Sequence, residues 1–117
     1  MSITLYGISN CDTVRRARKW LDAEGIDAAY HDFRKDGLAE AQLKKWVGAV
    51  GIDTLLNKRG TTWRNLPDDQ KDGLSDIDAI ALMVEHPALI KRPVIEAGNK
   101  ILVGFKAAQQ DALKAAK

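Results

Sequence analysis

The chain has 117 residues, 45% hydrophobic and 29% charged, proportions that fit one folded globular domain and exclude a disordered segment. Its 18 basic and 16 acidic residues leave a net charge of +2, and no basic arm points to nucleic acid, the longest clusters being Arg15-Arg16-Ala17-Arg18-Lys19 and Lys58-Arg59. No stretch reaches the ~20 apolar residues of a bilayer span and no secretory leader precedes the first strand pattern, so the expectation is a cytoplasmic protein without a membrane partner.

Residues 2–6 alternate apolar and polar side chains and predict a short strand, followed by a loop at 7–10. From about Thr13, Val14, Ala17, Trp20 and Leu21 recur at helical spacing with basic residues on the other faces, and Gly25 suits the closing position. Residues 26–33 then predict a second strand, parallel to the first after a crossover, with Lys35-Asp36-Gly37 as a turn.

The middle third predicts several short helices: one around Leu38, Leu43, Trp46 and Val47, one at 52–56, and one at 77–85 capped by Ser75 or Asp76. Trp20 and Trp46 fall at core spacing; Trp63 is a candidate to line a cleft. Two apolar runs at 93–96 and 100–103 flank Ala97-Gly98-Asn99, a hairpin signal, and Phe105, Ala108, Ala112, Leu113 and Ala116 predict a terminal amphipathic helix. The order β-α-β, helices, β-β-α is the plan of an α/β, thioredoxin-like (glutaredoxin-type) fold. Its mixed four-stranded sheet would form a single domain over 1–117, with a helical insertion at about 37–90.

The one cysteine, Cys11, excludes an internal disulfide and a cysteine-based zinc cluster. It is either a buried inert thiol or a reactive one. Its place between a strand end and a helix start favours the second, because open backbone N–H groups and the helix dipole favour the thiolate, with Arg15 or Arg16 a turn later. Asn10 is a candidate to cap the helix or orient a substrate. Residues 11–14 read Cys-Asp-Thr-Val, so an internal dithiol cycle is excluded and turnover needs an external thiol, for which glutathione is the natural candidate. His31 and His86 lack the partners of a metal site, and no bound cofactor is expected.

Two segments carry a resemblance: Ile3-Thr4-Leu5-Tyr6-Gly7-Ile8-Ser9-Asn10-Cys11 and His86-Pro87-Ala88-Leu89-Ile90-Lys91-Arg92-Pro93-Val94-Ile95. Together they resemble the glutaredoxin-coupled arsenate reductase (ArsC) family with its Spx and YffB branches, nearest the YffB-like proteins. The resemblance implies a thiol reductase acting through Cys11, with Arg92 and a cis-proline, Pro93, facing it as glutathione- or substrate-binding residues. The arsenate reductases of the family are expected to place three arginines around the anion. Arg92 answers one, Asn57 stands at the second followed by Lys58 and Arg59, and no arginine lies near Gly104 for the third. Arg59 is the remaining candidate to reach the site, and the thinned set argues against arsenate. The leading expectation is a monomeric glutathione-dependent thiol-disulfide reductase regenerated by glutathione or glutaredoxin. The alternatives are an Spx-like regulator that binds RNA polymerase and a true arsenate reductase.

Overall fold

A computed structural model of the chain describes residues 3–9 and 11–116. Two compact units emerge, one made of the chain through Gly37 together with everything from Arg92 onward, the other of Leu38–Lys91.

The first unit holds β1 (Ile3–Gly7), α1 (Asp12–Ala23), β2 (Ala29–Asp32), β3 (Val94–Ala97), β4 (Lys100–Val103) and α7 (Ala107–Ala116). Its four-stranded sheet runs in the order β2-β1-β3-β4, with β1 parallel to β2 and antiparallel to β3. This is the thioredoxin-like, mixed-sheet architecture expected from the element order. Alternation along the strands turns Ile3 and Leu5 of β1 and Ile95 and Ala97 of β3 into one core with Val14, Ala17 and Leu21 of α1 and Leu113 of α7. Trp20 packs edge-on against Phe105 with ring centroids 5.5 Å apart.

Helix α1 stops where its chemistry dictates. Gly25 takes φ 68°, the Ile26 N–H donates to Leu21 O at 2.9 Å, and the Gly25 N–H donates to Asp22 O at 3.1 Å. That pairing is a Schellman motif. It uses the first residue of the predicted second strand, so β2 begins only at Ala29. The β3–β4 hairpin turns at Gly98-Asn99, where Gly98 has φ 60° and fills the first central position that a II′ turn reserves for glycine.

Gly7, the last residue of β1, is fixed by packing. A Cβ there would lie 2.6 Å from Val14 Cγ2, so any side chain pushes α1 away from the sheet. Gly7→Ala is expected to destabilise the protein by about 1–3 kcal/mol in denaturant titration; an unchanged midpoint would show that α1 shifts freely.

The second unit is helical: α2 (Glu40–Val50), α3 (Ile52–Leu55), α4 (Thr61–Arg64), α5 (Asp68–Lys71), α6 (Asp76–Glu85) and a 3₁₀ turn at Pro87–Leu89. Its core holds Leu43, Trp46, Leu55, Ile80, Met83 and Leu89, all buried. Ser75 caps α6 by accepting from the Asp78 N–H at 3.2 Å. Among the described residues no helix is long and apolar enough to cross a membrane.

Candidate active site

Cys11 is the N-cap of α1, with extended backbone at φ −94° and ψ 125°. Its carbonyl accepts from the Arg15 N–H at 3.0 Å, while its own N–H donates to Ile8 O at 3.1 Å. The thiol is half-buried, packs against the sheet–helix core, and makes no capping hydrogen bond to the first turn. The N–H groups that open the twelve-residue helix therefore donate to no side-chain acceptor on the residue that caps it. Of the two arginines expected to add positive charge, Arg15 is tied to Asp12 in an i,i+3 ion pair, whereas Arg16 is exposed.

The Arg92–Pro93 bond is cis. Val94 pairs with Tyr6 in the antiparallel register, so one further step sets Pro93 opposite Gly7, at the end of the sheet from which β1 runs into the Cys11 loop. Pro93 is fully buried, and its carbonyl accepts from the Gly104 N–H at 2.8 Å. Arg92 is half-buried and has no ion pair among the described residues.

Cys11, Arg92 and Pro93 thus share one end of one sheet. Asn10 lies outside the described residues. Arg59 belongs to the second unit, exposed, in a turn where its backbone N–H donates to Asn57 Oδ1 at 3.1 Å. Nearby in that unit Lys58 and Lys71 sit over the Trp63 ring, 5.6 and 6.0 Å from its centroid. Among the described residues no group of three or more His, Cys, Asp or Glu side chains is arranged to hold a metal.

One charged residue of this sheet end escaped the sequence reading. Asp32, at the end of β2, is only 3% exposed. Its Oδ1 accepts from the backbone N–H groups of Arg34 (2.8 Å) and Lys35 (3.1 Å), and its Oδ2 from the Ser9 N–H (3.1 Å) and the Tyr30 hydroxyl (3.3 Å). Burial pushes its carboxyl up, but the N–H donors of Lys35, Arg34 and Ser9 and the Tyr30 hydroxyl outweigh it and hold it below the ordinary aspartate value. Burial, with the Asp32 charge behind it, raises the Tyr30 phenol in turn. The available signal was an aspartate directly before a turn, whose carboxylate bonds backbone N–H groups two and three residues on.

Against known proteins, the model of the ArsC family matches residues 6–113. An uncharacterised protein of Haemophilus influenzae is 48% identical over 103 residues, covering 88% of this chain and 90% of its own. Of solved structures, the YFFB protein superposes with TM-score 0.91 at 43% identity, covering 98% of both chains. An arsenate reductase (ArsC) related protein from Brucella melitensis gives 0.78 at 46% identity, over 96% of this chain and 93% of that one. More distantly, the global transcriptional regulator Spx of Streptococcus pyogenes is 27% identical over 88% of this chain and 78% of its own. A glutaredoxin from Archaeoglobus fulgidus shares the fold, with TM-score 0.52 at 17% identity over 97% of this chain and 85% of that one.

Proposed function

The chain belongs to the ArsC family, and from that premise we propose that it is a cytoplasmic, glutathione-dependent thiol-disulfide reductase working through one nucleophilic cysteine. The observation that carries this reading is a half-buried lone thiol at a helix N-terminus, at the same sheet end as Arg92 and cis-Pro93.

The chemistry balances with one protein sulfur. The Cys11 thiolate attacks the glutathionyl sulfur of a mixed disulfide, forming a Cys11–glutathione disulfide and expelling the substrate thiolate, which takes up a proton. A glutathione thiolate then attacks the glutathionyl sulfur of that adduct, releasing oxidised glutathione and restoring Cys11. Glutathione is both reductant and co-substrate, and no other cofactor enters. The single cysteine makes the external thiol a requirement.

Arg92 is assigned the glutathione carboxylate, for which a planar guanidinium with no ion pair among the described residues is suited. Asn10 and Arg59 are assigned to the same binding role on the sequence pattern, and the second unit is read as a helical insertion of one monomeric domain. Arg92→Ala is expected to raise KM for a glutathione mixed disulfide roughly tenfold or more, with kcat within about threefold. KM for an uncharged disulfide such as hydroxyethyl disulfide should stay unchanged. Equal shifts on both substrates would remove Arg92 from carboxylate binding.

The Spx relatives favour a second reading, a regulator that docks on RNA polymerase. Spx-type sensing relies on a Cys-x-x-Cys switch, and Cys-Asp-Thr-Val stands at 11–14 here. Co-purification with the polymerase α subunit supports the regulator, and disulfide turnover lost in Cys11→Ser supports the enzyme. Arsenate consumption with glutathione and glutaredoxin tests the arsenate reductase alternative, which the single matched arginine, Arg92, disfavours.

A further inference from the structure

From the bonds around Asp32 we infer that this buried carboxylate is a positioning residue for the thiol: it holds the loop that carries Cys11 at the geometry disulfide exchange requires. The inference rests on the reductase reading above.

The Cys11 loop leaves β1 at Gly7, the residue paired with Asp32 in the parallel register. Ser9, two residues before the thiol, donates its N–H to Asp32 Oδ2 at 3.1 Å. Cys11 itself is tied back to Ile8 O at 3.1 Å, and Ile8 is buried. Among the described residues the loop is therefore held at Ile8, Ser9 and Cys11, and Asp32 holds it at Ser9 from the neighbouring strand.

Asp32 is held just as firmly from the other side. Its Oδ1 takes the Arg34 and Lys35 N–H groups, its own N–H donates to Asp36 Oδ2 at 2.9 Å, and the following residue, Phe33, donates to Gly7 O at 2.8 Å. A solvent-exposed aspartate could cap that turn equally well. Burying the carboxylate incurs a desolvation penalty unless its acceptor sites are filled; of the two bonds that turn-capping leaves unexplained, one comes from the Tyr30 hydroxyl on the same strand and the other from the thiol loop. Disulfide exchange requires the attacking sulfur in line with the bond it breaks, so a displaced loop slows exchange even with the thiol chemically intact.

The test compares wild type, Asp32→Asn and Tyr30→Phe in two assays. One is turnover of a glutathione mixed disulfide with reduced glutathione; the other is alkylation of Cys11 by iodoacetamide on the alkaline plateau, where protonation no longer differs. In Asp32→Asn, kcat for exchange should fall roughly tenfold or more, while alkylation, which needs no oriented second sulfur, stays within about threefold. Tyr30→Phe removes a different bond to the same carboxylate and should exchange at the wild-type rate; Asp32→Glu should recover part of the loss. Loss of exchange through a substantial unfolded population, rather than through loop position, would instead speed alkylation, show as a pre-transition unfolded fraction in urea titration at the assay condition, and affect Tyr30→Phe as well. Should Asp32→Asn fail to fold, Ser9→Pro deletes the donor and keeps the carboxylate, with the same two readouts. Wild-type exchange matched by these variants would overturn the positioning role alone. A wild type with no exchange at all would overturn the reductase reading on which it rests.

Discussion

Cys11→Ser is expected to bring turnover of a glutathione mixed disulfide down to the uncatalysed rate, a loss of at least about 10³-fold. Serine keeps the size and place of the side chain at the α1 N-cap but removes the ionisable sulfur, and a hydroxyl neither ionises near neutral pH nor forms a disulfide intermediate. No other cysteine exists to substitute. The rate is read as oxidised glutathione produced, through the consumption of NADPH by added glutathione reductase. Because serine is itself a good N-cap, the variant should be at least as stable as wild type, which separates loss of chemistry from loss of fold. Turnover within about threefold of wild type would mean that the thiol is a packing residue.

The second large effect concerns stability. Asp32→Asn is expected to cost about 3 kcal/mol at neutral pH, since an amide replaces a carboxylate that accepts four hydrogen bonds in a buried site. The folded carboxyl titrates below its ordinary value, whereas in the unfolded chain it returns to about 3.9. Between those two values the unfolded state binds more protons, so stability rises with pH. The contribution of Asp32 is complete above the unfolded value and disappears as pH falls through the folded one. Urea unfolding at a series of pH values should therefore show wild type and variant furthest apart above about pH 5 and converging in stronger acid. A gap that stays constant as the pH falls would mean that the carboxylate is not the source of the difference.

Much of this arrangement is legible in the chain. The apolar spacing of Val14, Ala17 and Leu21 with Gly25 behind it fixes α1 and its end, and Gly98-Asn99 between two apolar runs fixes the hairpin. The second strand is shorter than its pattern suggests because Ile26 closes the helix cap before the strand begins. In the middle third, helical character is visible, but breaks at Gly51, Gly60, Pro67 and Gly73 leave pieces of four residues, too short to show a periodicity.

The site divides in the same way. Cys11 could be singled out from local pattern, since a lone thiol between strand and helix has a chemical meaning by itself. Pairing it with Arg92 and Pro93 needed the family resemblance: the two segments lie far apart in sequence, and only the β1–β3 register brings them to one end of the sheet. Asp32 was passed over because a charged residue at the end of a strand reads as solvent-facing. The turn at 33–36 that folds back on it is a local signal, but the Ser9 N–H that reaches it from the loop after β1 comes from a segment distant in sequence.

On the proposed mechanism, Cys11 carries the glutathionyl group between substrate and glutathione. Intact-mass spectrometry of the reduced protein mixed with oxidised glutathione, without other reductant, tests it most directly because the chain has a single cysteine. One glutathionyl group per chain is expected, formed within the turnover time and discharged on adding excess reduced glutathione. An unmodified mass, or an adduct that excess glutathione does not release, would contradict it.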